Sequence, residues 1–261
     1  MSALPSADPL AVAAALAAAE EGRGSLPPFT DALALGEEAA YEAQRLSIAR
    51  RVARGERVIG AKLGLTSRAK QRTMQVDQPL YGWLTDAMHL PLGEPVPVER
   101  LIHPRVEPEI AFLLGRELRG PATVADVLAA TEGVCVAIEV IDSRYAGFRF
   151  RLPDVVADNA SAAAFVLGGL LRAPSQLPDM RTLGVVLTRA GEVVATAAGA
   201  AVLGHPAAAV AWLATRLAAR GESLPAGSLV LSGALTDAFP IAPGVTVCAE
   251  VEGLGAVEVR A

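Results

Sequence analysis

The pattern of apolar residues changes near residue 57, and this change constrains the fold more than any other feature. Before it, residues 8–22 and 36–54 combine good helix formers with a helical spacing of apolar positions. After it, short β-type runs alternate with glycine and proline. This order predicts an α+β fold, with a helical N-terminal region over residues 1–56 and a β-rich domain over residues 57–261.

Local signals predict the order of elements in the β-rich domain. Thr66 or Ser67, Thr123 and Pro206 are residues with which helices begin. We therefore predict helices over 67–74, 123–132 and 206–220. The predicted strands cover 58–65, 105–115, 134–142, 162–168, 182–189 and 192–198, followed by β segments at 228–235, 244–253 and 255–261.

The composition excludes several classes of partner. The formal net charge is −5 and no run of Lys or Arg occurs, so nucleic acid and anionic membranes are unsuitable partners. Residues 193–215 carry no charge, but Gly199, Gly204 and Pro206 interrupt them, which predicts a strand, a turn and a helix instead of a membrane span. With two cysteines and no signal-peptide pattern, the chain is expected in the reducing cytoplasm.

Two glutamates, Glu107 and Glu109, stand one residue apart in an otherwise apolar run, HPRVEPEIAF (103–112). In an extended strand both side chains point to one face, while Val106 and Ile110 point to the other. Their stems are then about 6.6 Å apart. Two charges at that distance repel by roughly 2.5 kcal/mol at an effective dielectric of about 20, and by about 0.6 kcal/mol in water. The pair fits either a solvated strand face or a buried face that holds a cation.

A third carboxylate, Glu139, lies in the apolar run VCVAIEVID, which is typical of a buried strand. A glutamate there needs a cation, a hydrogen-bonding partner or a raised pKa. Arg105 or Arg144 could pair with it. With Glu107 and Glu109 it would instead complete a set of three carboxylates, and carboxylates without cysteine or clustered histidine favour a hard cation, Mg²⁺ or Mn²⁺.

Lysine is confined to one short segment. The chain has 21 arginines but two lysines, Lys62 and Lys70. An ammonium group can lose its proton, whereas a guanidinium group stays charged. The bias singles out Lys62 as a candidate for chemistry, although two lysines can also fall together by chance.

Six motifs follow in order along nearly the whole chain: GAKLGLTSRAKQ (60–71), VDQPLYGWLTDAM (76–88), HPRVEPEIAF (103–112), AIEVIDSRY (137–145), DVVADNASAAAFVLG (154–168) and LSGALT (231–236). Together they resemble the 2-keto-4-pentenoate hydratase / 2-oxo-3-hexenedioate decarboxylase family of the fumarylacetoacetate hydrolase superfamily. This resemblance implies a fumarylacetoacetate-hydrolase-like mixed β body, which is catalytic, with a helical N-terminal lobe. It also implies that Glu107, Glu109 and Glu139 hold one divalent metal ion, Mg²⁺ or Mn²⁺.

The resemblance implies catalytic roles for two residues at matched positions. Lys62 would transfer a proton or stabilise charge beside the substrate. Asp77 would act as an acid or base, or would orient Lys62. An aspartate in this position can also simply cap a turn.

The resemblance further implies a substrate site. Ser161 and Thr236 would offer hydroxyl groups to a substrate carboxylate, with Asn159 orienting the loop, although Ser and Thr near glycine are also common in turns. Leu65 and Arg149 are expected to contact the substrate as well. A second carboxylate on the substrate would need a cation, for which the candidates are Arg149, Arg144, Arg72 and Lys70.

Two reactions are consistent with the resemblance. A decarboxylase would convert 2-oxo-3-hexenedioate (4-oxalocrotonate) to 2-hydroxypenta-2,4-dienoate and CO₂, and a hydratase would add water to that product. Pro108 between the glutamates, the WLTDAM and DSRYAGFRF stretches and the alanine of SGALT favour the decarboxylase, whereas VDQPLYG is closer to hydratases. A non-catalytic keto-acid-binding or scaffold protein is a third alternative.

Several further expectations come from the resemblance alone. The protein would be a lyase of meta-cleavage aromatic catabolism and would act on a small 2-oxo dicarboxylic acid. It would form a homo-oligomer and associate with the hydratase of its pathway.

Overall fold

The computed structural model describes residues 5–261, apart from the side chains of residues 73 and 74. The helices are α1 (Pro9–Gly22), α2 (Glu37–Ala53), α3 (Arg68–Met74), α4 (Val124–Ala130), α5 (Leu152–Ala157) and α6 (Pro206–Ala218). The strands are β1 (Val58–Gly64), β2 (Leu80–Thr85), β3 (Arg105–Leu114), β4 (Thr131–Ile141), β5 (Ala162–Leu167), β6 (Gly184–Arg189), β7 (Glu192–Ala198), β8 (Leu229–Leu231), β9 (Phe239–Pro240), β10 (Thr246–Val251) and β11 (Gly255–Arg260). The predicted α+β class is confirmed.

The strands form two sheets. The larger sheet has the order β2-β1-β8-β3-β4-β5, with β9 paired to the beginning of β3. The smaller sheet has the order β11-β10-β6-β7. Among the described strands, β1 and β8 run parallel and the other neighbouring pairs run antiparallel.

Each face of the larger sheet has its own apolar cluster, because side chains alternate along a strand. On one face, Val106 and Ile110 of β3 belong to the main core together with Val247 of the smaller sheet. On the opposite face, Ala111 and Leu231 belong to a smaller cluster. The glutamates of β3 lie on this second face, as their alternation with Val106 and Ile110 predicts.

The N-terminal helices join the main core. Asp8 caps α1 by accepting a hydrogen bond from the backbone N–H of Leu10 at 3.0 Å, and Pro9 occupies the first helical position. Tyr41 of α2 is buried and its ring stacks on that of Tyr81 in β2. Gln44 donates to the backbone carbonyls of Tyr81 and Val156 at 2.9 and 3.0 Å, so α2 is bound to both β2 and α5.

The structure corrects several element boundaries and adds two strands, β2 and β9. The helix predicted over 123–132 ends at Ala130, and β4 begins at Thr131, three residues before the predicted start. Strand β2 was not predicted, because LYGWLT acquires its extended form by pairing with β1 and lacks a clear alternation of its own.

Residues 193–215 contain a strand, a short turn and a helix, as predicted. Across the described part of the chain, no helix combines the length and the apolar character needed to span a membrane.

Candidate active site

A short strand lies in the middle of the larger sheet. Strand β8 separates β1 from β3 and ends at Leu231, which pairs with Lys62 on one side and Ala111 on the other. The pairing of β8 with β1 ends at Leu231, but the chain stays hydrogen-bonded to β3 beyond it, from the N–H of Ser232 to the carbonyl of Ile110 at 3.1 Å and from the N–H of Leu235 to the carbonyl of Pro108 at 2.9 Å. Glu107 and Glu109 of β3 lie past this end of the β1–β8 pairing.

Three glutamates, which we call the acidic triad, meet on one face of the larger sheet: Glu107, Glu109 and Glu139. Antiparallel pairing of β3 with β4 places Glu107 directly opposite Glu139. One carboxylate oxygen from each residue lies within 4.8 Å of those of the other two. Glu109 and Glu139 are fully buried and Glu107 is 8% exposed, so the alternative of a solvated strand face is excluded.

The hydrogen bonding of the acidic triad is incomplete. Glu109 Oε2 accepts a hydrogen bond from the backbone N–H of Gly233 at 2.7 Å. Among the described residues, no donor makes a hydrogen bond to Glu109 Oε1 or to either carboxylate oxygen of Glu139. Buried polar atoms without partners are rare and each requires an explanation.

Charge in the acidic triad is only partly balanced. The Lys62 ammonium lies 2.9 Å from Glu139 Oε2, an ion pair outside hydrogen-bond geometry. Burial raises the pKa of Glu139 above its usual range, against the lowering effect of Lys62. Burial, followed by the charge of Glu139, raises the pKa of Glu109 well above its usual range. At an effective dielectric of about 20, two unit charges at 4.8 Å repel by about 3.5 kcal/mol.

A divalent cation fits this arrangement. Three carboxylates that share a small buried space and retain oxygens without donors need more positive charge than Lys62 and Lys70, the latter 3.3 Å from Glu107 Oε1, supply. The oxygen-only donor set suits a hard cation such as Mg²⁺ or Mn²⁺, which prefers carboxylates and water. The acidic triad can therefore hold one such ion.

Lys62 is fixed from two sides. It is buried at 2% exposure on β1, opposite Gly82 of β2. Besides the ion pair with Glu139, its ammonium donates to the backbone carbonyl of Ala160 at 3.0 Å. Burial by itself would lower the pKa of Lys62, but the neighbouring carboxylates outweigh it, and the pKa lies above its usual value.

The carbonyl that meets Lys62 comes from a strained turn, which we call the 158–161 turn. Asn159, Ala160 and Ser161 have φ angles of 50°, 54° and 57°, a left-handed conformation that is costly for residues other than glycine. Asn159 stabilises the turn by pairing with both backbone groups of Trp83, at 2.8 and 2.9 Å. Gly82 permits the close approach, since a Cβ there would lie 2.5 Å from the carbonyl oxygen of Asn159.

A buried ion pair anchors the same turn. Asp158 accepts a hydrogen bond from the guanidinium of Arg144, and its Oδ2 accepts another from the Ser161 hydroxyl at 3.0 Å. Burial raises the pKa of Asp158 to about 6, against the lowering effect of Arg144. Arg144 is thereby excluded as the partner of Glu139, and Arg105 instead stacks over the ring of Phe148.

A cavity of about 460 Å³ opens next to Glu107 and Lys62. Most of its wall is apolar. The lining residues are Lys62, Leu63, Gly64, Leu65, Thr66, Ser67, Ala69, Lys70, Leu80, Glu107, Ile141, Phe148, Phe150, Val155, Ala160, Ser161, Ala234 and Asp237.

The structure brings some of the predicted substrate residues to this cavity. Leu65 lines it at the end of β1, and Ser161 lines it from the 158–161 turn. The Ser161 hydroxyl and backbone N–H both donate to Asp158. Thr236 is outside the lining set and its hydroxyl donates to the carbonyl of Asp237. Hydroxyl contacts to a substrate carboxylate therefore stay a prediction for Ser161 and Thr236.

Two predicted residues lie elsewhere. Asp77 is exposed on the loop between α3 and β2 and is not part of the cavity wall. Arg149 is exposed and forms an ion pair with Asp31 at 2.9 Å. This geometry does not support a role of either residue at the acidic triad, and their predicted roles remain untested.

Sequence reasoning missed the backbone groups that complete the site. The carbonyl of Ala160 engages Lys62, and the N–H of Gly233 engages Glu109. Gly233 gives the one available signal in the sequence, because its position in the structure requires glycine. Its φ is 111°, and a Cβ there would lie 2.1 Å from Thr66 Oγ1.

Comparison with known proteins identifies the family. Residues 51–261 match the family model for the fumarylacetoacetate (FAA) hydrolase C-terminal domain. The chain belongs to the fumarylacetoacetate hydrolase family. The resemblance seen in the six motifs is thus confirmed.

Three known proteins illustrate the similarity. The chain is 49% identical over 222 residues to the 4-oxalocrotonate decarboxylase of Pseudomonas sp. (strain CF600), covering 85% of this chain and 84% of the relative. It is 47% identical over 198 residues to the 2-hydroxypent-2,4-dienoate hydratase of Pseudomonas putida, covering 75% and 89%. The solved 4-oxalocrotonate decarboxylase from Pseudomonas putida G7, complexed with magnesium and adipate, matches with a TM-score of 0.92 at 44% identity, covering 97% and 96%.

Proposed function

We propose that this protein is a lyase that decarboxylates 2-oxo-3-hexenedioate (4-oxalocrotonate) to 2-hydroxypenta-2,4-dienoate and CO₂. The observation that carries the proposal is the buried acidic triad with Lys62 against it. Its presence in a chain 49% identical to a 4-oxalocrotonate decarboxylase supports this reaction. The 47% identity to a hydratase makes hydration of 2-hydroxypenta-2,4-dienoate the second candidate.

Glu107, Glu109 and Glu139 would hold the cofactor, Mg²⁺ or Mn²⁺. When bound, such a cation polarises the carbonyl of a 2-oxo acid and stabilises negative charge on its oxygen. Gly233 would keep Glu109 oriented, because its N–H binds Glu109 Oε2. Glu109 Oε1 has no donor among the described residues and would face the cation.

Lys62 would stabilise the charge that develops during the reaction. As the bond between C5 and C6 breaks, its electron pair moves through the conjugated chain to the oxygen on C2, and CO₂ leaves. An ammonium has three N–H donors. In Lys62 one donates to the Ala160 carbonyl, and the ion pair with Glu139 is outside hydrogen-bond geometry, which leaves a donor for this oxygen. Donation of that proton would yield the neutral enol group of the product.

The expected partners belong to the same proposal. We infer that the substrate is a small 2-oxo dicarboxylic acid, that the protein acts in meta-cleavage aromatic catabolism, and that it forms a homo-oligomer. Association with the hydratase of the pathway and a cytoplasmic location stay predictions from the family resemblance. A scaffold without activity is the weakest alternative, because it would not need Lys62 against three buried carboxylates.

One experiment separates these alternatives. The purified protein is given 2-oxo-3-hexenedioate and, separately, 2-hydroxypenta-2,4-dienoate, each with Mg²⁺. We expect CO₂ release from the first and no hydration of the second. Hydration without CO₂ release would show that the protein is a hydratase and not a decarboxylase. The absence of both activities would favour the scaffold.

A further inference from the structure

The far end of a 2-oxo dicarboxylic acid carries a second negative charge, and the cavity offers few positive charges to receive it. Two of the residues in its wall, Lys62 and Lys70, are cationic. Lys62 is buried and engaged by Glu139 and Ala160 beside the acidic triad. Lys70 is therefore the cavity cation that remains for the far carboxylate.

The other cations considered from the sequence are directed elsewhere. Arg144 is buried in its ion pair with Asp158 beneath the 158–161 turn. Arg149 is exposed and paired with Asp31. Arg72 lies on α3 like Lys70, but it is exposed and does not line the cavity.

Lys70 is held at the edge of the cavity with part of its hydrogen-bonding capacity unused. Its ammonium donates to Glu107 Oε1 at 3.3 Å and to the carbonyl of Thr236 at 3.2 Å. Asp237 lies 3.7 Å away but is 87% exposed, so water screens its charge. Since an ammonium has three donors, one remains for a ligand. The flexible four-carbon stem lets the group follow a ligand that extends away from Glu107.

We propose that Lys70 binds the far carboxylate of the substrate and selects dicarboxylic over monocarboxylic 2-oxo acids. The proposal rests on the function proposed above. With a divalent cation on the acidic triad, Lys62 and Lys70 make this group of charges net positive, which favours a dianion, and water screens the exposed Asp237 beside it. In this view Lys70 determines specificity, whereas Lys62 acts on the reacting end.

The test uses two unreactive ligands that differ only at the far end. 2-Oxoadipate and 2-oxohexanoate share the 2-oxo carboxylate and the chain length, but the first ends in a carboxylate and the second in a methyl group. Binding of each is measured by isothermal titration calorimetry at saturating Mg²⁺. The proteins are the wild type, Lys70→Met and the matched control Arg72→Met, which removes the same charge from the same helix.

We expect the wild type and Arg72→Met to prefer 2-oxoadipate by about 10- to 100-fold, the range of a charge-assisted hydrogen bond. Lys70→Met should lose that preference and keep the affinity for 2-oxohexanoate within about threefold, which also shows that the variant is folded. An equal loss of affinity for both ligands in Lys70→Met would mean that Lys70 supports Glu107, and would overturn the proposal. A preference for 2-oxoadipate that survives in Lys70→Met would also overturn it, and so would a preference that disappears in Arg72→Met. A wild type that binds neither ligand would contradict the proposed function itself, and the Lys70 assignment with it.

Discussion

At the residue scale, the position of each glutamate along its strand explains the acidic triad. Alternation along β3 puts Glu107 and Glu109 on one face, and antiparallel pairing with β4 puts Glu139 opposite Glu107. The sequence predicted the first of these relations from periodicity. It left the partner of Glu139 open, because only the tertiary structure shows that Lys62 approaches it to 2.9 Å.

Lys62→Ala tests the role of the ammonium in the reaction. We expect kcat to fall by about 10²- to 10⁴-fold, since a positioned proton donor is lost. Mg²⁺ affinity should change far less, because the three carboxylates remain. Steady-state kinetics and Mg²⁺ titration of the same preparations check both statements, and a turnover close to that of the wild type would remove Lys62 from the mechanism.

At the scale of elements, two features shape the site: the early end of β8 and the 158–161 turn. Neither could be predicted from local sequence. The segment SLVLSGAL was predicted as β structure, but its ladder ends at Leu231, where the neighbouring backbone turns toward Glu109. Three successive left-handed residues contradict local preference, and they persist because Asp158 and Asn159 bind the turn to the rest of the protein.

Asp158→Ala tests the anchor of the 158–161 turn. Removing this carboxylate leaves the buried Arg144 guanidinium without its charged partner, and breaking a buried ion pair costs about 3–5 kcal/mol. We expect the free energy of unfolding in urea to fall by that amount. Asp179→Ala is the matched control, because it breaks the exposed pair with Arg181, and it should leave the urea midpoint nearly unchanged.

At the scale of the whole molecule, the class was predictable and the topology was not. Hydrophobic spacing identified α1 and α2 and most strands to within a few residues. The order β2-β1-β8-β3-β4-β5 depends on which strands pair over long distances, and periodicity carries no information about partners. The family resemblance supplied what spacing could not, namely that motifs far apart in sequence form one site.

Removal of residues 1–56 tests how strongly the N-terminal helices support the rest of the chain. The remaining protein would lose the stacking of Tyr41 on Tyr81 and both hydrogen bonds from Gln44 to β2 and α5. It would also lose the hydrogen bond from the Thr30 N–H to Asp154. We expect it to lose cooperative unfolding, measured by circular dichroism in urea. A cooperative transition at the midpoint of the full chain would show that residues 57–261 fold independently.

The proposed function depends most on the binding of one divalent cation by the acidic triad. Calorimetric titration of Mg²⁺ into the wild type, Glu107→Gln and Glu132→Gln tests it most directly, because Glu132 is an exposed glutamate on the same strand as Glu139. We predict one Mg²⁺ per chain in the wild type and in Glu132→Gln, and binding at least about tenfold weaker in Glu107→Gln, since a neutral amide replaces a charged ligand. Unchanged Mg²⁺ affinity in Glu107→Gln would contradict the assignment of the acidic triad as the metal site.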